Sequence, residues 1–463
     1  MGIFIILSSL PSYLIRFKLF GIPTTALEGM ILLTFLIWII EKMNFQFLIS
    51  NSCSCWASPA GKQQNAKCQM LKIKDQWLLF FFIFLFLLSA TIGMFVSPDL
   101  KAASGIWKAY FIEPILFFIV LVSTLRSVKD LKLIISALAI SALYISLYAL
   151  AQRFFGIPIP APWQSELRVT SIFPYPNAVG LYLAPLVPLF VYQLISNFSI
   201  CGRSRPLSGQ FLSLREITRR VIISNKMSNV KCQMSEFLVV GWWLLVVSLS
   251  VLAIYFAKSE AVLVALVCGL IFFLLFYNNK TRLVLILIFL LFFILYSLFP
   301  NNDLFLTIEN KLLLKDWSGI TRRAIWSETW QMLKDRPIFG AGLSGYQTAI
   351  LPYHKAAWME VFLYPHNILF NFWSELGLLG LISFSLLIGW FFVTIIKFPI
   401  SNSQFPIKFQ ILNFKLIKLF TTSSMVVLLI HGLVDVPYFK NDLSILFWTI
   451  MALPIIINKD IRS

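Results

Sequence analysis

The sequence predicts an all-α protein, a polytopic membrane helix bundle of about 12 transmembrane helices with a large loop containing amphipathic helices between the ninth and tenth. Three observations carry that prediction. Hydrophobic residues make up 59% of the 463 and charged residues only 13%, which is more apolar surface than one water-surrounded core can bury. The apolar residues gather in runs of about 16 to 21, enough at ~1.5 Å per residue to cross roughly 30 Å of hydrocarbon. The Lys and Arg residues fall between those runs, and unevenly on alternate gaps.

In chain order the runs are 2–15, 22–40, 76–96, 109–125, 133–151, 178–196, 237–257, 261–277, 283–299, 376–396, 419–434 and 443–458. The first is short and carries Pro11; without a basic stretch before it or a small-residue cleavage site after it, it does not read as a cleaved leader. If it does not span, the N-terminus changes side while every later gap keeps its own. Residues 1–463 read as one integral membrane domain, with 41–75 and 197–236 as low-complexity loops and 300–375 as the one long loop. The sixth run is approached through "QRFFGIPIPAPWQSELRVTSIFPYPN" (152–177), stiffened by five prolines and ending at Asn177, which is expected to cap the helix that follows.

The formal charge of +18 raises nucleic acid as a partner, and its distribution removes it. Of the 38 Lys and Arg, 23 lie on the alternate gaps that begin with 41–75, and seven of the remaining 15 lie in 300–375, where length weakens the topological rule. The excess is therefore a topology signal with some contact to anionic lipid. It places 41–75 and 197–236 in the cytoplasm and 300–375 on the extracytoplasmic side. Cys53, Cys55, Cys68, Cys201 and Cys232 fall on the cytoplasmic side and Cys268 inside a run, so no disulfide is expected. A zinc site on Cys53, Cys55 and Cys68 lacks a fourth ligand, and no metal site is expected.

Chemistry needs polar residues, and these collect on the outer side. In "SGITRRAIWSETWQMLKDRPIFGAGLSGY" (318–346), Ser318 or Thr321 is expected to cap a helix with a stripe of Trp326, Trp330 and Leu333, ended by Pro337 and its following glycines. Arg322 shares that stripe, and Arg323 is turned away by roughly 100°. An arginine there either snorkels to lipid phosphates or holds a guanidinium over a substrate phosphate. Arg168 alone is a loop charge. His354 and His366 lie in the long loop, and His431 has Asp435 at i+4, a spacing that would let the carboxylate orient the ring or would serve structure alone. There is no Asp-X-Asp, H-E-x-x-H, Walker loop or G-x-S-x-G, so metal-dependent transfer, zinc proteolysis, ATP hydrolysis and hydrolase serine chemistry lack support.

Arg168 with "SIFPYPNAVGLYLAPLVPL", then "TRRAIWSETWQMLKDRPIFGAGLSGY", then "PHNILFNFWSELGLLG", in this order and separated by these runs, resemble the O-antigen ligase and polymerase family of bacterial envelope proteins over residues from about 100 to the end. The resemblance implies a glycosyltransferase of the plasma (inner) membrane, multi-pass, with its site on the extracytoplasmic side. Such enzymes move a glycan from an undecaprenyl-pyrophosphate carrier to an acceptor hydroxyl on a lipid or surface glycan, without metal, nucleotide sugar or other cofactor. By motif the family's essential arginines correspond to Arg168 and Arg322 and its essential histidine to His366. Arg323 beside Arg322 leaves the second assignment ambiguous by one residue, and Arg323, Asn367, His431 and Asp435 stand as candidate substrate contacts. The chain departs from many relatives at "AKSEAVL", where they have Ser-Arg-Gly.

Planar guanidinium groups suit a pyrophosphate leaving group in a poorly solvated cleft, and a neutral imidazole suits removal of a hydroxyl proton. His366 is expected either to take that proton or to touch phosphate. Polymerase, protein oligosaccharyltransferase, and the unrelated class of polytopic transporter or lipid flippase remain as alternatives. The last of these usually shows two related halves, and no internal repeat is visible here.

Overall fold

The computed structural model describes residues 1–19, 22–50, 62–125, 127–201, 218–299, 302–396 and 408–462. Among them the regular elements are helical apart from one antiparallel hairpin, β1 (Arg16–Leu19) with β2 (Ile22–Thr25). The order is α1 (Gly2–Ser8), the hairpin, α2 (Ala26–Ser50), α3 (Lys62–Val96), α4 (Leu100–Ile106), α5 (Glu113–Thr124) and α6 (Val128–Phe154). Then come α7 (Asn177–Leu183), α8 (Val187–Cys201), α9 (Thr218–Ala257), α10 (Glu260–Tyr277) and α11 (Asn279–Leu298). After these the long loop holds α12 (Asp303–Leu312), α13 (Trp317–Asp335) and α14 (Tyr346–Ala349), before α15 (Ile368–Ile396), α16 (Lys408–Gly432) and α17 (Asn441–Arg462).

Nine helical stretches among the described residues are long and apolar enough to cross a membrane, and α7 with α8, bent by 42°, makes a tenth if it is one span. Each overlaps a run expected from sequence. The expected run 22–40 begins as strand and becomes helix only at Ala26; α2 carries Glu28, Glu41 and Lys42 and is not among the nine. The expectation of a span at 2–15 is not met. There α1 has only seven residues, Pro11 sits in a 3-10 turn, and the hairpin follows. Ile6, Leu7 and Leu10 are fully buried and α1 packs on α6, so the apolar run serves the protein core, as short runs of this length commonly do.

The helices differ sharply in position. Of the α17 span 89% is buried, which puts it at the centre, whereas the α11 span is 6% buried and stands at the rim. Around α17 lies an aromatic cluster in which Phe372 stacks on Phe384 at 4.0 Å, with Phe86 and Tyr438 each within 6 Å of Phe372. Such pairs add about 0.5–1.5 kcal/mol each beyond area burial. Since lipid tails are as apolar as leucine, this close packing is what joins helices in a bilayer.

The tenth expected run starts earlier than predicted, at Ile368, and is broken at Gly377 (φ 73, ψ −174). The segment after α13 threads into that break: Leu378 N–H donates to the Ile338 carbonyl at 2.8 Å, and Ala341 N–H to the Ser374 carbonyl at 2.6 Å. A Cβ on Gly377 would meet the Ile338 carbonyl, so only glycine combines this φ with this approach. Leu343 N–H reaches the Gly93 carbonyl at 2.9 Å and Ser344 N–H the Glu375 carboxylate at 2.5 Å. These bonds give irregular backbone partners where water is scarce, and they clamp the long loop onto α3 and α15. Of the low-complexity loops, the described parts of 41–75 and 197–236 are helical, and the rest lies outside the described residues.

Candidate active site

Helix α13 supplies the first cation. Asp316, rather than Ser318 or Thr321, caps it, accepting from Gly319 N–H at 3.2 Å. Its buried face is Ile325, Glu328, Thr329, Met332 and Leu333, one residue round from the predicted stripe, and Trp330 is exposed. Arg322 lies at the edge of this face, half-buried, while Arg323 is exposed. The Arg322 Nε donates to the Val434 carbonyl at 3.1 Å and an Nη donates to Ser318 Oγ at 2.6 Å. Burial pulls the Arg322 guanidinium below its ordinary pKa, opposed by the negative charges of Asp435, Asp316 and Glu260.

One turn on, Trp326 Nε1 donates to the Pro365 carbonyl at 3.0 Å, which fixes the peptide just before His366. His366 adopts φ 46, an uncommon conformation for a residue with a side chain, and its ring meets Phe362 edge-on at 5.2 Å between centroids. Its Nδ1 faces Asp435 Oδ1 at 3.6 Å; Nε2 has no partner among the described residues. Asn367 caps α15, accepting from Leu369 and Phe370 N–H groups, and donates to the Leu433 carbonyl at 2.9 Å. The turn before α15 and the turn after α16 are therefore laced together by both Asn367 and His366.

Asp435 is the hub. It is 5% exposed, accepts from Val436 N–H at 2.8 Å through Oδ1, and accepts from Asn177 Nδ2 at 3.3 Å through Oδ2. Burial works against its charge, but the facing His366 and the Val436 N–H hold the carboxyl well below the usual carboxylate range. Asn177 accepts in turn from an Arg168 Nη at 3.3 Å, so it does not cap α7 as expected but bridges Arg168 to Asp435. Arg168 Nε donates to the Ala257 carbonyl at 3.2 Å, and its guanidinium lies 5.0 Å from the Trp163 ring centroid and 3.7 Å from Glu166.

Arg168, Arg322, His366, Asn367 and Asp435 thus come together on one connected polar network. Arg323 stays outside it. The expected hydrogen bond between His431 and Asp435 does not form: α16 ends at Gly432, so the i+4 geometry is lost, and among the described residues neither buried His431 ring nitrogen has a hydrogen-bond partner. His354 bonds Glu328 at 3.1 Å, and Glu328 also accepts from Lys355 and Ala356 N–H groups, which staples loop to α13. Sequence reasoning missed the bridging role of Asn177, the tether from Trp326 and the Val434 carbonyl. Only Asn177 had a signal, nine residues after Arg168 beside a proline-rich turn.

Among the described residues no three His, Cys, Asp or Glu side chains are grouped to hold a metal ion; Cys53, Cys55 and Cys68 lie outside the described side chains. Residues 245–385 match the family model described as O-antigen ligase. The matched stretch contains Arg322, Arg323, His366 and Asn367, and the resemblance read from the second and third motifs stands on it; Arg168, His431 and Asp435 lie outside. No curated protein sequence matches the chain. Together with the apolar helices, the match supports a multi-pass membrane enzyme of glycan transfer.

Proposed function

We propose that the chain transfers a glycan from an undecaprenyl-pyrophosphate carrier to an acceptor hydroxyl at the outer face of the plasma membrane, with Arg168 and Arg322 on the diphosphate and His366 as general base. The observation that carries this reading is the His366–Asp435 pair set between two arginines, with Arg322 bonded to the turn that holds Asp435 and Arg168 linked to Asp435 through Asn177. A carboxylate on Nδ1 fixes the ring tautomer and leaves Nε2 to act on the acceptor.

In the reaction the acceptor oxygen bonds to the anomeric carbon of the donor sugar as the bond from that carbon to the phosphate oxygen breaks. The electron pair leaves with the diphosphate, where the guanidinium groups meet the charge that develops. The hydroxyl proton goes to His366 Nε2, and Asp435 stabilises the imidazolium. A single displacement inverts the sugar carbon. No step draws on a metal or a cofactor.

The proposed acceptor is a lipid or surface glycan; polymerisation and protein glycosylation use the same chemistry with other acceptors. The test offers purified protein, in lipid, a carrier-linked glycan with glycolipid, polysaccharide and peptide acceptors, with and without chelator. Transfer to the glycolipid or polysaccharide in chelator is expected. A requirement for divalent metal, or passage of the carrier across the bilayer without any transfer, would overturn the reading.

A further inference from the structure

Lys440 stands at the end of the turn that carries Val434 and Asp435, just before α17. It is half-buried. Its ammonium lies 4.2 Å from the Tyr175 ring centroid and 5.6 Å from that of Phe173, on the segment that runs from Arg168 to Asn177. The two segments therefore touch twice, at Asn177 with Asp435 and at Tyr175 with Lys440.

Among the described residues, no carboxylate lies within ion-pair distance of Lys440 and no acceptor takes a hydrogen bond from its amine. The nearer acids are committed or remote: Asp435 serves His366, Asn177 and its own backbone, and Asp442 acts on Lys440 only through space. A half-buried cation without a counter-ion carries a desolvation cost, and ring faces return only about 0.5–2 kcal/mol of it. Burial accordingly pulls the amine below its ordinary pKa, against the attraction of Asp442 and Asp435. The arginines, by contrast, have already given donors to protein: Arg168 to Ala257 and Asn177, Arg322 to Val434 and Ser318. Lys440 has all three of its donors to give.

We infer that Lys440 is a third cation of the donor site and binds one of the two phosphates of a polyprenyl diphosphate, making the site selective for diphosphate over monophosphate lipids. This rests on the proposed transferase reading. Two partly committed guanidinium groups and one free ammonium match a diphosphate, whereas a monophosphate needs fewer charges. The Tyr175 and Phe173 faces hold the amine in place until the anion arrives.

The experiment measures binding of undecaprenyl diphosphate, undecaprenyl monophosphate and phosphatidylglycerol to the full chain in phosphatidylcholine nanodiscs, for wild type, Lys440→Met and Lys440→Arg. Thermal unfolding of each variant is recorded alongside. Expected is a loss of about tenfold in diphosphate affinity for Lys440→Met with monophosphate and phosphatidylglycerol affinities unchanged, and recovery to within about threefold in Lys440→Arg. Equal losses for all three lipids, or a diphosphate affinity untouched by Lys440→Met, would overturn the role of Lys440 and leave the transferase reading standing. Failure of the wild type to prefer diphosphate would overturn both.

Discussion

His366 Nδ1 and Asp435 Oδ1 face each other at 3.6 Å across two turns far apart in the sequence, and each turn is pinned by further bonds that hold the pair in place. Pro365 is tied to Trp326, Asn367 to Leu433, and Asp435 to Asn177 and its own backbone. Rigid support on both sides is what a base needs if its free nitrogen is to point at an acceptor.

Asp435→Asn keeps the shape and removes the charge proposed to stabilise the His366 imidazolium. The turnover number is expected to fall by about 10- to 100-fold with little change in KM, measured by initial rates of glycan transfer. Because the folded carboxyl titrates below the unfolded one, Asp435 contributes stability that is fully present above about pH 4 and is lost as the pH falls through the lower folded value. The difference in unfolding temperature between wild type and Asp435→Asn should therefore be constant at neutral pH and shrink below about pH 4.

Arg322 and Arg323 separate by exposure. Arg322→Lys loses the planar fork that reaches Ser318 and Val434 at once, and kcat/KM should drop by roughly 100-fold. Arg323→Ala should stay within about threefold of wild type, because its side chain is exposed and turned from the network. Steady-state kinetics on both variants give the comparison; equal losses would place the functional arginine elsewhere.

Trp326→Phe keeps an aromatic ring but loses the indole N–H that holds the Pro365 carbonyl. The expected cost is about 1 kcal/mol of stability and a three- to tenfold loss of turnover with KM unchanged, since the tether acts on the placement of His366 and not on the donor.

Gly377→Ala adds a Cβ where φ is 73 and the Ile338 carbonyl is in the way. Destabilisation of about 1–3 kcal/mol is expected, read as a lower unfolding temperature in detergent. Gly389→Ala, in the same helix with open space at its Cβ, serves as the matched control and should be neutral or slightly stabilising.

Length and apolarity made most of the bundle legible in the sequence, because a bilayer demands about 20 apolar residues whatever the neighbours are. What failed was decided by tertiary contact. The run at 2–15 has the composition of a span but is cut by Pro11 and buried against α6. The start of α15 at Ile368 depends on Asn367 capping it, and its break at Gly377 on the segment after α13. At the site, Arg168, Arg322 and His366 stood out as polar residues in short motifs. The partner of Asp435 did not, since helical spacing pointed to His431 and the end of α16 at Gly432 cancelled that geometry. No local pattern announces that a residue before α15 will meet one after α16.

In the proposed reaction His366 acts on the acceptor beside a diphosphate held by Arg322. Single-turnover transfer from carrier-linked glycan by purified protein in lipid, comparing wild type with His366→Ala and Arg322→Ala, tests this most directly. Each variant should be slower by at least about 100-fold while unfolding at a temperature close to wild type. Transfer at the full wild-type rate by either folded variant would contradict it.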